Sequence, residues 1–238
     1  MIYKVGILGA SGRMGLEIAG LLEGGFSIGG DRLELADAIA GSSRLKSIDG
    51  VDVRTLDEKG REPLHVWIDF SRPKATLQFL SQLETPIVIG TTGFTEEEVA
   101  RIGTFAERHP VLLASNTSPG MNQFFRILRD LPDGAFSGWS VALRDEHHIK
   151  KLDAPGGTAK TLLALLKQKG FEKVDVQVTR AGGIRGNHSV RFITDEEEFE
   201  LVHRVMDRRV FARGALQAAH FLARQRTPRV YSMEEVEG

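Results

Sequence analysis

The sequence predicts an α/β protein in which a parallel-sheet domain is interrupted by a smaller inserted α+β domain. Three observations carry that expectation. Up to about residue 118, short apolar runs alternate with amphipathic stretches, the pattern of βαβ units. Beyond residue 119 the alternation gives way to successive strands with one polar side. A glycine-rich turn, Gly9-Ala10-Ser11-Gly12-Arg13-Met14-Gly15, joins the first strand to the first helix.

The elements follow in order. Strands are expected at 2–8, 26–30, 51–54, 64–70, 86–90 and 111–115, with helices at 13–23, 73–83 and 95–108. Leu64–Phe70 and Pro86–Gly90 are nearly continuous apolar runs, as strands covered on both faces should be. A helix is then expected over 120–131 and a strand over 139–147. Residues 158–169 read as a helix with Leu162, Leu163, Leu165 and Leu166 inward, stopped by Gly170. Strands follow at 174–180, 189–194 and 197–206, the last with Phe199, Leu201, His203 and Val205 on one face. Helix returns over 214–226. Residues 1–118 together with a final helix, 209–238, are expected to form the first domain, and 119–208 the inserted one.

Composition removes several classes of function. Lys+Arg (31) and Asp+Glu (32) nearly cancel, so no basic face for nucleic acid is implied. No apolar stretch reaches the ~18 residues of a membrane span. The chain starts directly in a strand-like segment with no leader pattern, and a cytoplasmic location is the default expectation. With no cysteine, thiolate nucleophiles, disulfides and Cys-ligated zinc are excluded.

The glycine-rich turn sits where a dinucleotide fingerprint needs it, between a strand and a helix. Glycines let backbone approach a pyrophosphate, whose charge rests on the helix N-terminus. A Rossmann-like domain is the implied fold. The spacing is G-x-x-G-x-x-G; a plain tight turn is the competing reading. Asp31, 22 residues past Gly9 and placed just after the expected second strand, could accept hydrogen bonds from an adenosine ribose. Arg32 beside it could instead face a 2′-phosphate. Gly90-Thr91-Thr92-Gly93-Phe94 and Ala114-Ser115-Asn116-Thr117-Ser118 follow two further strands and suit a flat amide such as nicotinamide, although such loops are most often ordinary turns.

The densest chemistry lies in Glu146–Ala159. Adjacent histidines on a strand face opposite ways, so His147 and His148 cannot share one task. Lys151, Asp153 and a Pro155-Gly156-Gly157-Thr158 helix start follow, suited to proton transfer and to holding a carboxylate. No set at familiar ligand spacing points to a metal. His188, His203 and His220 are expected to be structural.

The segment His147-His148-x-x-Lys151-x-Asp153-Ala154-Pro155-x-Gly157-Thr158-Ala159 resembles the signature of the dihydrodipicolinate (4-hydroxy-tetrahydrodipicolinate) reductase family. The resemblance extends over Gly9–Gly15, Asp69–Pro73, Gly90–Phe94, Ala114–Asn116 and the Arg208–Ala215 segment. It implies an oxidoreductase of diaminopimelate and lysine biosynthesis that uses NADH or NADPH on a small dicarboxylate. By position it implies Gly9, Ala10, Ser11, Gly12, Arg13 and Met14 at the pyrophosphate and Asp31 with Arg32 at the ribose. It implies Gly90, Thr91, Thr92, Ala114, Ser115, Asn116 and Thr117 at the nicotinamide, with Arg208 reaching the cofactor. His147 and Lys151 would transfer protons, and His148, Gly157 and Thr158 would hold substrate. The site would lie between the domains, and a homotetramer built on an open sheet is implied.

The chain departs from that family at Gly156, where Ser is usual, at Thr117, where some members carry Phe, and in a shorter span before Arg180. Two other readings keep the nucleotide site: an amino-acid or semialdehyde dehydrogenase, and a nucleotide-sensing protein without catalysis. The His-His-x-x-Lys block opposes both.

Overall fold

The computed structural model describes residues 1–41, 45–58 and 63–236. The chain divides into two compact units, 1–118 with 209–238, and 119–208. No helix among the described residues is long and apolar enough to cross a membrane.

The first unit is built on nine strands: β1 (Ile2–Leu8), β2 (Ser27–Ile28), β3 (Asp31–Ile39), β4 (Ser47–Ile48), β5 (Val51–Arg54), β6 (Val66–Asp69), β7 (Ile87–Ile89), β8 (Val111–Leu113) and, past the second unit in sequence, β13 (Val230–Tyr231). Their order is β13-β8-β7-β6-β1-β3-β5-β4, with β2 paired to β3. All pairings are parallel except β2 on β3 and β4 on β5. Strand order therefore reverses at β1, and open α/β sheets bind ligands at the carboxyl ends of strands beside such a reversal. Every residue of β6 and β7 is buried, as their apolar runs require. Helix α1 (Arg13–Glu23) and helix α6 (Arg209–Leu222) pack Ile18, Leu22, Ala215 and Leu216 on one face, and α2 (Pro73–Leu80) and α3 (Glu96–Ala106) pack Leu77, Phe79, Ile102 and Phe105 on the other. Burying one such side chain stabilises by roughly 1.5–3 kcal/mol.

Two expectations need correction. The expected second strand, 26–30, is the short arm of a hairpin: Gly29 (φ 57°) and Gly30 (φ 87°) turn the chain back, and the parallel strand is β3. Two successive positive φ angles are the backbone of the tight hairpin turn that Gly-Gly favours. The expected helix 209–238 ends at Leu222; the chain then adds β13 beside β8 and a 3-10 turn at Met233–Glu235. Residues 237–238 of that segment lie outside the described residues.

The second unit is a mixed four-stranded sheet of β9 (Ser140–His147), β10 (Val174–Arg180), β11 (Asn187–Ile193) and β12 (Glu198–Arg204), in the order β10-β9-β11-β12. Helices α4 (Pro119–Arg129) and α5 (Gly157–Gln168) cover one face through Phe124, Leu128, Leu162 and Leu166 against Leu143, Val190 and Phe192. The register Phe192↔Phe199, Val190↔Leu201 and His188↔His203 puts these residues on that same helix-covered face. Arg144, Arg191, Glu200 and Arg204 alternate with them and belong to the opposite face.

Candidate active site

The first unit gathers its loops at the carboxyl ends of β1, β6, β7 and β8. The N–H groups of Gly9 and Ala10 both donate to the Ile39 carbonyl at 2.9 Å, which pins the glycine turn beside the end of β3. A side chain at Gly15 would come 2.4 Å from the Gly9 carbonyl oxygen, and one at Gly9 (φ +89°) would come 2.7 Å from that of Phe70. Gly12 precedes α1 with no side-chain cap, and no acidic residue sits in the first turn. Glycines that hold the backbone this close, ahead of an uncapped helix start, form a cradle that suits a pyrophosphate.

Neighbouring loops interlock with it. The Ser71 N–H donates to Thr91 Oγ1 at 2.9 Å and to Asp69 Oδ1 at 2.8 Å, and the Ala114 N–H donates to the Ile89 carbonyl at 3.0 Å. The Phe70 ring lies over Gly90, where a Cβ would be 2.3 Å from it. Thr92 and Ser115 are exposed, Asn116 is half-buried, and its Oδ1 accepts from the Ser118 N–H at 2.8 Å. Thr117 is buried and donates its hydroxyl to the Phe211 carbonyl at 2.8 Å. Its polar atom thus ties the β8 loop to α6.

Asp31 and Arg32 do not join this group. They stand at the amino end of β3, paired with the Ile2 end of β1, whereas the glycine turn follows Leu8 beside Ile39. Eight strand steps, roughly 26 Å, separate the two ends. Asp31 accepts from the N-terminal amine at 2.6 Å and meets His220 at 2.9 Å; these two hydrogen bonds hold its carboxyl below its ordinary value. Arg32 pairs with Glu34 at 3.2 Å. The ribose assignment of both is corrected: they were expected just after a parallel strand at 26–30, but they begin β3, at the end of the sheet opposite the glycine turn. The segment that does follow β3 is Ala40-Gly41, then residues 42–44, which lie outside the described residues.

In the second unit the sequence-predicted residues converge on one that sequence reasoning passed over, Asp145. Its side chain is fully buried. Oδ1 meets His147 Nδ1 at 2.8 Å and His188 Nε2 at 3.4 Å. Oδ2 accepts from Arg180 at 2.9 Å and from the Gly156 N–H at 2.8 Å. Burial alone would push this carboxyl up; the close approach of His147 and His188 and the hydrogen bonds from Gly156 and Arg180 outweigh it and hold the group well below the usual carboxylate range. Arg180 also donates to the Asp145 and Asp153 carbonyls, so it clamps the loop after β9 onto the strand.

Lys151 enters the same cluster, its ammonium 2.6 Å from Asp153 Oδ1. A Cβ on Gly156 would stand 3.0 Å from Lys151 Cε and 3.5 Å from both Lys151 Nζ and Asp145 Oδ2. Lys150 is exposed, so position favours Lys151. Gly156 caps α5 and gives its N–H to Asp145; the next backbone donors are those of Gly157 and Thr158 at the helix N-terminus. His148 is half-buried, and Arg208 ends the unit, also half-buried. Gly186 leaves space beside His147: a Cβ there would come 3.3 Å from Nε2.

His188, expected to be structural, lies in the cluster, and its ring meets that of His147 edge-on at 5.2 Å. Burial pushes its imidazole down, so it is neutral at pH 7. Asp145, His147 and His188 offer ligand atoms within 4.8 Å of one another. The sequence conceals this set because His188 arrives from another strand. The Arg180 guanidinium on the same carboxylate opposes a cation there.

Comparisons with known proteins agree with this geometry. Residues 3–117 match the family model for the N-terminus of dihydrodipicolinate reductase and residues 120–236 the model for its C-terminus. The chain belongs to the dihydrodipicolinate reductase family. It is 34% identical over 237 residues to the 4-hydroxy-tetrahydrodipicolinate reductase of Bdellovibrio bacteriovorus, covering 98% of this chain and 95% of that one. Identity to the enzyme of Syntrophotalea carbinolica is 35% over 274 residues, covering 100% and 99%. Among solved structures, the dipicolinate-bound dihydrodipicolinate reductase of a Paenisporosarcina species shares the fold with a TM-score of 0.72 at 20% identity, covering 98% of each chain. An aspartate dehydrogenase from Thermotoga maritima shares it more loosely, at 0.55 and 18%, covering 92% of this chain and 96% of that one. The N-terminal model covers the first unit up to residue 117, and the C-terminal model covers the second unit together with the 209–236 segment that returns to the first; the family's nicotinamide-dependent chemistry fits the glycine cradle.

Proposed function

We propose that the chain is the NAD(P)H-dependent reductase of 4-hydroxy-tetrahydrodipicolinate in diaminopimelate and lysine biosynthesis, acting in the cytoplasm. The observation that supports it best is the Asp145 cluster, which sets His147 and Lys151 beside the N-terminus of α5. A reduction at a cyclic imine carbon needs a hydride and a proton. A bound nicotinamide supplies the hydride; Gly9–Met14 would hold its pyrophosphate, and Gly90–Thr92 with Ala114–Asn116 would border its ring. His147 and Lys151 supply the proton, an imidazole and an ammonium drawn close to the site. The Gly157 and Thr158 N–H groups take one substrate carboxylate, aided by the helix dipole, and His148 holds the other end. Arg208 completes the cofactor contacts.

For the cofactor, the sequence after β3 supports a preference. Residues 40–46 read Ala-Gly-Ser-Ser-Arg-Leu-Lys, with two cations and no carboxylate. A carboxylate there would favour the free ribose and an arginine the 2′-phosphate. The chain therefore takes NADPH in preference to NADH. The polar face of the second unit's sheet, carrying Arg144, Arg191 and Glu200, supports assembly into a homotetramer.

The test is loss of nicotinamide absorbance when the purified chain meets the product of dihydrodipicolinate synthase. No oxidation, in folded protein that binds NADPH, would reject the reading. Calorimetric titration with both cofactors checks the preference, and equal affinities would reject it. Light scattering checks the assembly.

A further inference from the structure

We propose that Asp145 is the positioning residue of this site, fixing which nitrogen of His147 carries the working proton and tying that ring to the helix end that receives a substrate carboxylate. The inference rests on the reductase reading for its catalytic readout, though not for its structural one. Four groups from four segments converge on this carboxylate: Arg180 of β10 and the Gly156 N–H that caps α5 donate to Oδ2, and His147 Nδ1 of β9 and His188 Nε2 of β11 stand 2.8 and 3.4 Å from Oδ1.

The charge of Asp145 favours one tautomer. Asp145 is held ionised and can only accept, so with its Oδ1 2.8 Å from His147 Nδ1 a proton on Nδ1 is favoured over a lone pair facing the anion. Neutral His147 then has its lone pair on Nε2, the nitrogen beside side-chain-free Gly186. When the ring is doubly protonated, the proton leaves from Nε2 to the substrate and the ring returns to its Nδ1–H form. Asp145 stays ionised throughout and steadies the imidazolium, as a carboxylate does in other His-carboxylate pairs. His188, neutral and buried behind the same oxygen, offers one N–H and no charge.

An asparagine at 145 has the same shape and a different inventory. Arg180 and the Gly156 N–H can only donate, so they claim the amide oxygen. The amide NH2 is left facing His147 Nδ1. Of the four partners only the histidines can move a proton, so His147 must switch to Nε2–H with Nδ1 accepting. The NH2 group then blocks a second proton on Nδ1, and the acid form is lost. Wrong-tautomer replacements of this kind lower kcat by up to about 10⁴-fold.

The experiment is nitrogen NMR of histidine-labelled protein with steady-state kinetics on wild type and Asp145→Asn. Wild-type His147 is expected as the Nδ1–H tautomer when neutral, and Asp145→Asn as Nε2–H. The variant's kcat is expected to fall at least about 100-fold, with the KM for NADPH changed by less than about threefold. Wild-type His147 in the Nε2–H form overturns the proposal whether or not the variant folds. So does a folded variant with near-normal kcat. If wild type fails to reduce the substrate while showing the Nδ1–H form, the reductase reading falls and the positioning role stands.

Discussion

Asp69 and Asp145 are both fully buried carboxylates at or near the carboxyl end of a strand, one in each unit, and they behave in opposite ways. Asp69 accepts from neutral donors: the Ser71 N–H at 2.8 Å, the Ser71 hydroxyl at 2.5 Å and the Thr76 hydroxyl at 2.5 Å. Burial outweighs these bonds and pushes its carboxyl up. Asp145 accepts from a guanidinium and a helix-cap N–H, with two imidazoles against its other oxygen, and its carboxyl is held down. Burial is common to both; the groups around the carboxylate, which at Asp145 are two histidines, a helix-cap N–H and a guanidinium, decide. Asp69 is a knot between loops, closing Ser71 and Thr76 onto β6. Asp145 is a fixed negative charge around which proton-bearing groups are arranged.

Removing each side chain should separate these roles most widely. Asp145→Ala leaves the Arg180 guanidinium buried without its partner, and breaking a buried pair from one side costs about 3–5 kcal/mol. Asp69→Ala strands only neutral donors, at about 1–3 kcal/mol. Urea melts of both variants measure the gap, and equal losses would erase the distinction between the two sites.

Lys151 extends the cationic side of the comparison. Its ammonium is bonded to Asp153, which holds that carboxyl below its ordinary value against the upward push of partial burial. Lys151→Met keeps the stem and removes the charge. Its kcat should fall about 100-fold with little change in stability, as expected of a proton-transfer group on a half-buried loop. Lys150→Met, one residue earlier and exposed, should leave kcat within about twofold.

The pH dependence of stability should also run in opposite directions. The folded value of Asp145 lies below its unfolded one, so its contribution is full above about pH 4 and is lost as pH falls further. The folded value of Asp69 lies above, so native protein holds the extra proton. Stability then declines as pH rises from about 4 through that folded value. Asp69→Asn should flatten the second slope and stay within about 1 kcal/mol of wild type at pH 7, since the Thr76 hydroxyl can reverse from donor to acceptor. Urea midpoints across pH 3–7 read both slopes.

The sequence makes the regular parts of this architecture plain. Helix α1 spans Arg13–Glu23 and β10 spans Val174–Arg180, the bounds their patterns predict, because each has a clean period and a glycine-marked turn or end. The His147–Thr158 block is equally visible, being local. Asp31 misleads because Phe26-Ser27-Ile28 is apolar enough to pass for a parallel strand, while the Gly29-Gly30 pair beside it is a hairpin turn. Asp145 and Arg180 are hidden for another reason: their pairing depends on β9 and β10 lying in register, 35 residues apart in sequence. One trace was available. Val141, Leu143, Asp145 and His147 alternate on a single face, so a carboxylate continues an apolar stripe, and a charge buried there must be answered by partners.

Gly156 is where the smallest effect is expected and where the two halves of that reasoning meet. Its φ of −69° and ψ of 167° are open to any residue, so conformation does not demand glycine. What a side chain would meet is Lys151 Cε at 3.0 Å, the flexible end of a long chain that can yield by a few tenths of an ångström. A serine there would also cap α5, where Ser exceeds Gly by only a few tenths of a kcal/mol. The two effects oppose and both are small. Gly156→Ser should therefore shift stability by less than about 0.5 kcal/mol and kcat/KM by less than about threefold. A loss of tenfold or more would mean that Lys151 has no slack, and that this chain's missing side chain is part of how its ammonium is set beside Asp145.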